Sequence, residues 1–83
     1  MSKLIFTVKY ADKKWPQYLE ETFSKAFAEQ CIVESTQTAS IHEARVQILD
    51  FKNDDDIINS LKKNDLVTSA YLVNNKAIAE TIK

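Results

Sequence analysis

The sequence predicts an α+β domain in two layers, an antiparallel sheet with two helices on one of its faces. Three observations lead there. Residues 3–10 alternate with the two-residue period of a strand, residues 16–30 and 53–63 carry apolar side chains at helical spacing, and β-rich segments lie between and after the helical ones. The resulting order is strand, helix, strand, strand, helix, strand, or βαββαβ.

Each element has its own physical warrant. In the first strand Leu4, Phe6, Val8 and Tyr10 fall on one side and Ile5, Thr7 and Lys9 on the other, because successive strand side chains point to opposite faces. Its β-branched and aromatic residues agree with that reading. Residues 11–15 make a connection, and Pro16 opens a helix, since proline's fixed φ and missing N–H fit a first helical turn. Leu19, Phe23, Ala26, Phe27 and Gln30 then form one stripe along residues 16–30, with Glu20, Glu21, Lys25 and Glu29 on the other side.

From Cys31 onward the helical period stops. A strand is expected over residues 32–38, polar enough to stand at a sheet edge, with Glu34 guarding that edge against pairing. A loop near residues 39–42 leads to a clearer strand over 43–51, where Ala44, Val46 and Ile48 line one side and Arg45, Gln47 and Leu49 the other. Asn53 is the expected cap of the second helix. Asp54, Asp55 and Asp56 suit the positive end of its dipole and Lys62 and Lys63 the negative end. Asn64 is expected to close it in the left-handed conformation that glycine usually supplies. The strand over 66–73 has apolar residues in both alternation sets, so its inward side stays open. Asn74-Asn75 suits a tight turn, and residues 77–82 fit either a short fifth strand or a frayed tail.

The whole chain sets bounds. Its 83 residues make a single domain, 1–83, and a chain of that size buries roughly 60–65% of the surface it exposes when unfolded. Hydrophobic residues form 45% of it, enough for one core, which argues against wholesale disorder. A formal charge of −1 argues against a dedicated binder of nucleic acid or anionic membranes, and offers little repulsion between copies. Cys31 is the single cysteine, which excludes an intrachain disulfide and suits a reducing, cytoplasmic compartment. The N-terminal apolar run is too short for a signal-peptide core, and no stretch approaches the ~20 apolar residues of a membrane span. Glycine is absent altogether, so any turn at positive φ falls to Asn or Asp. Richness in Lys, Ile and Asn is what AT-rich coding produces, and it raises a phage or mobile-element origin as an expectation.

The βαββαβ order is that of ferredoxin-like folds. With right-handed crossovers the first and third strands take the centre of the sheet and both helices cover one face. The buried side then joins Phe6, Val8, Val46 and Ile48 to Leu19, Phe23, Phe27, Ile58 and Leu61. The other side carries Ile5, Thr7, Lys9, Arg45, Gln47 and Leu49, with Glu34, Thr36 and Thr38, and is left uncovered.

Residues that carry chemistry are sparse. Cys31 and His42 are the one candidate nucleophile and base, but nothing in the sequence orients either, and a buried cysteine with a solvated histidine is the simpler reading. Asp54, Asp55 and Asp56 are consecutive at a helix start, where they radiate in different directions; they lack the glycine and distant Glu of a calcium loop. The expectation is therefore no enzyme, no metal and no cofactor. Lys13, Lys14 and Trp15, beside Tyr18, form a small cation-plus-aromatic patch able to stack on a base. The element order also matches the RNA-recognition motif. However, residues 43–51 lack the glycine and aromatic pair on which that family stacks bases.

One family resemblance extends over nearly the full length. The chain resembles ACT-type regulatory modules, most clearly in residues 54–73, which follow that family's helix, short turn and final strand in spacing and apolar placement. The resemblance implies an intracellular domain that pairs with a second copy and holds a small ligand, often an amino acid, at the interface. Where those modules usually carry glycine in the first strand–helix connection, this chain has Ala11, Asp12, Lys13 and Lys14.

The leading expectation is a non-enzymatic interaction protein, an inhibitor or adaptor, that binds a protein partner or its own copy through the open sheet face or an edge strand. Ile5, Thr7, Lys9, Glu34, Thr36, Arg45, Gln47 and Leu49 are the residues assigned to that contact. A ligand-sensing dimer is the alternative, and a single-strand nucleic-acid binder using Lys9, Lys13, Lys14 and Trp15 the second.

Overall fold

A computed structural model describes residues 2–10, 15–37, 42–74 and 78–83. Its elements are β1 (Ser2–Tyr10), α1 (Trp15–Thr22), α2 (Lys25–Gln30), β2 (Ile32–Gln37), β3 (His42–Phe51), α3 (Asp55–Lys63), β4 (Val67–Asn74) and β5 (Ile78–Thr81). The five strands form one open sheet in the order β2-β3-β1-β4-β5, and every neighbouring pair is antiparallel. The alternating segment near the N-terminus therefore lies at the centre, as its apolar density predicts.

One face of that sheet is the core. Leu4, Phe6 and Val8 of β1 are fully buried, opposite Ile48, Val46 and Ala44 of β3, which are equally buried. Leu72 and Ala70 of β4 lie beside Leu4 and Phe6 on the other flank. The helices close over this surface with Leu19, Phe27 and Leu61. Phe6 is the aromatic hub, its ring centroid 6.0 Å from that of Phe23 and 6.4 Å from that of Phe27, while Phe23 and Phe27 are 4.5 Å apart. Such pairs add to simple area burial through edge and face contacts. Phe23 and Ile58, expected in the core, are partly buried and pack against it.

Four local expectations need correction. Residues 16–30 do not form one helix. The chain breaks at Ser24, whose backbone is extended and whose Oγ accepts from the Phe27 N–H at 3.0 Å, so a new helix starts there. Serine competes for backbone N–H groups in this way, and a helical stripe cannot reveal it because Leu19, Phe23 and Phe27 keep their spacing across the break. At the second helix the cap is Asp54 rather than Asn53. Asp54 Oδ1 accepts from Asp56 N–H at 2.9 Å and from Ile57 N–H at 3.4 Å. Asn53 instead takes the positive φ of 53° that a glycine-free chain must assign somewhere. Asn64 does not close α3 in the left-handed region; its backbone is extended. Its side chain does the work, Oδ1 accepting from Leu66 N–H at 3.0 Å while the amide donates to the Tyr18 hydroxyl and ties α3 to α1. Finally, His42 is the first residue of β3, not part of a loop.

The remaining expectations fall close to the observed bounds. The fifth strand exists as four residues, and its end is held by Ile82 and Lys83 N–H groups donating to the Ala70 carbonyl at 2.9 and 3.2 Å. Thr38 lies outside the described residues.

Candidate protein-docking surface

No element among the described residues covers the face of the sheet opposite the helices, and the strand register lays out its residues in rows. Ile5 of β1 stands between Gln47 of β3 and Tyr71 of β4; Ile32 of β2 and Thr81 of β5 extend that row to both edges. The next row holds Glu34, Arg45, Thr7 and Ser69, and the one beyond it Thr36, Glu43 and Lys9. On the opposite side of the Ile5 row, Lys3 neighbours Val73, which neighbours Ala79. The structure thus brings Ile5, Thr7, Lys9, Glu34, Thr36, Arg45 and Gln47 onto one face.

Leu49 reaches this face by the same alternation as Arg45 and Gln47, and a bulge follows. The β1–β3 register runs from Leu4 opposite Ile48 to Ser2 opposite Phe51, so two residues of β3, Leu49 and Asp50, stand against Lys3 alone. This bulge flips the parity of β3. Phe51 turns into the core, while Leu49 and Asp50 are both exposed.

Exposure divides the face into two halves. Leu49 is 59% exposed, Ile32 49% and Tyr71 41%, and these are three of the four large apolar side chains exposed among the described residues. With half-buried Ile5 and Val73 they make this end the more apolar one, interrupted by Gln47 between Ile32 and Ile5 and by Lys3 beside Val73. The other end is charged, Glu34 standing beside Arg45 and Lys9 beside Glu43 as cross-strand neighbours of opposite sign. Isolated exposed apolar residues are ordinary on any surface; a cluster on the one uncovered face is not.

Ile32 and Tyr71 are absent from the residues that the sequence assigns to this face. Ile32 shares the parity of Glu34 and Thr36, so the alternation that selected those two carries it as well. Tyr71 alternates with buried Ala70 and Leu72, but a second bulge breaks the pattern toward Val67 and leaves the strand's inward side undecided. Ser69 pairs with Thr7 but Val67 with Val8, leaving Thr68 as an extra residue whose Oγ1 donates to the Thr7 carbonyl at 3.4 Å. Val67, Ala70 and Leu72 are consequently all buried, and no single alternation describes the strand.

A groove of about 440 Å³, lined by Gln30, Ile32, Ile48, Leu49, Asp50 and Lys52, adjoins the apolar end at the β2 side. A smaller one of about 250 Å³ separates α2 from the start of α3, with Ser24, Phe27, Gln30, Lys52, Asp54 and Ile57 among its lining.

The other candidate residues are placed as follows. Cys31 follows α2 and His42 opens β3 opposite Gln37, six residues further along β2, which is about 20 Å at ~3.3 Å per residue. They are not a catalytic pair. The Cys31 thiol donates to the Phe27 carbonyl at 3.3 Å, and burial pushes its pKa up to about 11, so it is a poor nucleophile near neutrality. Asp54 is occupied as a helix cap, and among the described residues no group of three or more His, Cys, Asp or Glu side chains converges as a metal site. Lys13 and Lys14 lie outside the described residues, and Trp15 is the first residue of α1. Tyr18 is engaged with Asn64; burial raises its phenol pKa, which hydrogen bonds with Thr22 and Asn64 partly offset.

No helix among the described residues is long and apolar enough to cross a membrane. Comparisons with protein-family models, with curated proteins and with solved structures return no match to the chain.

Proposed function

We propose that the protein is a non-enzymatic docking module, an inhibitor or adaptor, that binds a protein partner through its open sheet face. The observation that carries this reading is the gathering of Leu49, Ile32 and Tyr71, all exposed, at one end of the face that no helix covers. Burying such side chains stabilises a complex by ~25 cal/mol per Å² of apolar surface removed from water, before the costs of association. The charged end, with Arg45, Glu34, Lys9 and Glu43, supplies orientation and discrimination between partners more than affinity. Site-specific photo-crosslinking tests the proposal. A crosslinker at Leu49 or Tyr71 should capture a discrete partner from the source cell, one at Asp56 on the helix side should not, and Ile5→Asp should abolish the capture. Equal capture from both sides of the domain would refute a face-specific interaction.

The ferredoxin-like reading of the architecture belongs to this proposal. It is supported by β1 and β3 at the centre, β2 and β4 flanking them, and helices on one face, with β5 appended beyond β4. The same strand order supports a second reading, an ACT-like dimer that senses a metabolite. Its test is thermal stabilisation, since a ligand at ~100 times its Kd adds about 2.7 kcal/mol. A cytoplasmic setting is supported by Cys31, which stands as a free thiol.

A further inference from the structure

Among the described residues the sheet is open, with β2 and β5 each paired on one side only. Alternate residues of an edge strand direct their N–H and C=O groups away from the sheet, where only water or another strand can meet them. The two edges differ. β5 has four residues, and a short edge strand is itself a guard against further pairing. β2 has six residues in unbroken register with β3, and contains no Pro, Lys or Arg and no bulge. Glu34 is its one charge.

We infer that β2 is a self-docking edge, and that its occupant is the β2 strand of a second copy, antiparallel about a two-fold axis at Ser35. Axes at Glu34 and at Ser35 each pair five of the six residues, more than an axis at any other residue, and the charge on the strand selects between these two. Faces match only when residues of like parity stand opposite one another. A two-fold at Glu34 would set two carboxylates directly against each other, which is unfavourable. A two-fold at Ser35 sets Glu34 opposite the partner's Thr36 and Val33 opposite the partner's Gln37, with no like charges opposed. Val33 lies half-buried at the margin of the core, so the seam covers apolar surface at the sheet's edge. Net charge does not oppose the encounter, because 11 basic and 12 acidic residues nearly cancel.

An axis normal to the sheet keeps both helix layers on one side, and five strands become ten. Both open faces then point the same way, which makes the docking module of the previous subsection bivalent. The size of the seam fixes its strength. The five paired residues at ~3.3 Å by two layers of ~10 Å give about 330 Å² per copy, less than half of the ~800 Å² of a standard stable interface. The dimer is therefore weak and reversible, half-formed at roughly 0.1–1 mM.

Sedimentation velocity over a concentration series, with circular dichroism to verify folding, tests the inference. The expected result is a monomer–dimer equilibrium in that range, weakened at least tenfold by Ser35→Glu, which opposes two carboxylates across the axis, and unchanged by Tyr71→Asp on the open face. A disulfide gives an independent readout in a Cys31→Ala background. Residues opposite each other at a two-fold have Cα atoms about 4.5–5.5 Å apart, within disulfide reach. Ser35→Cys should thus oxidise to a covalent dimer much faster than Glu34→Cys. A folded protein that stays monomeric at 1 mM, equal oxidation of the two cysteine variants, or a dimer lost in Tyr71→Asp but kept in Ser35→Glu would each overturn the edge assignment. Capture of a partner by the open face is a separate measurement, so either proposal can fail alone.

Discussion

Adjacent residues of β1 should respond very differently to truncation, because they belong to opposite faces. Phe6 is fully buried and touches Phe23 and Phe27, so Phe6→Ala removes a large ring and leaves a cavity between the sheet and α2. Such substitutions cost about 3–5 kcal/mol. A domain of 83 residues has a total stability of about 4–12 kcal/mol at 0.05–0.15 kcal/mol per residue, so this one change removes about a quarter or more of it. Ile5 is half-buried on the open face. Ile5→Ala loses only the fraction of side chain that the fold shields, and solvent fills the space, so the cost is about 1 kcal/mol. Urea unfolding followed by circular dichroism in dilute solution measures both. Slopes near ~1 kcal/mol per M are expected for a chain this small, placing the two midpoints about 2–4 M apart. If Ile5→Ala proved as costly as Phe6→Ala, a layer of protein would have to cover the face here described as open, and the docking proposal would lose its surface.

Three further outcomes follow from the caps and the buried thiol. Ser24→Ala should destabilise by about 1 kcal/mol, because it removes the acceptor of the Phe27 N–H and with it the start of α2. Asp54→Ala should cost a similar amount, and Asp54→Asn less, since asparagine keeps an acceptor for the Asp56 and Ile57 N–H groups. Both are read as shifts in the urea midpoint. Cys31 gives a pH dependence of known sign. Burial raises its pKa from 9.0 to about 11, so between those values the folded chain holds a proton that the unfolded chain has lost. Its contribution is intact below pH 9 and fades as pH climbs toward 11. Unfolding measured across that window should show the loss in the native chain and less of it in Cys31→Ala, while thiol labelling of the folded protein should be slow at pH 8 and accelerate with each unit of pH. Fast labelling at pH 8 would contradict the burial.

How much of this was legible beforehand depended on whether a residue's surroundings were encoded locally. The central position of β1 followed from its alternation, and the partition of β3 into Ala44, Val46 and Ile48 against Arg45 and Gln47 followed from the same rule. The element order carried the two-layer arrangement. What escaped was decided by single hydrogen bonds or single extra residues. Ser24 divides a helix with one hydroxyl, at a point where apolar spacing continues undisturbed. Asp54 and Asn53 are chemically interchangeable as caps, and the choice between them rests on which residue must take the positive φ. Asn64 was assigned to a backbone role, yet its contact with Tyr18 spans 46 positions, a separation that no local pattern reports.

The two bulges each bring one more apolar side chain into the core. Where alternation runs without interruption it puts Arg45, Gln47, Thr7 and Lys9 on the open face, and Ile5 and Tyr71 with them. Each bulge shifts that phase by one residue. At Leu49 and Asp50 the shift sends Phe51 inward to a 5% exposed position; at Thr68 it lets Val67 be buried together with Ala70 and Leu72. Both irregularities flank β1, and Leu49 and Tyr71 stand outside on either side of it, with Ile32 at the β2 edge. A β-bulge costs ladder hydrogen bonds and persists where something is gained by re-aiming a side chain. In the first bulge the gain on the inner side is the burial of Phe51. In the second it is the burial of Val67, 1% exposed, so each bulge is accounted for inside the domain, and the exposure of Leu49 and Tyr71 is a separate property of the open face.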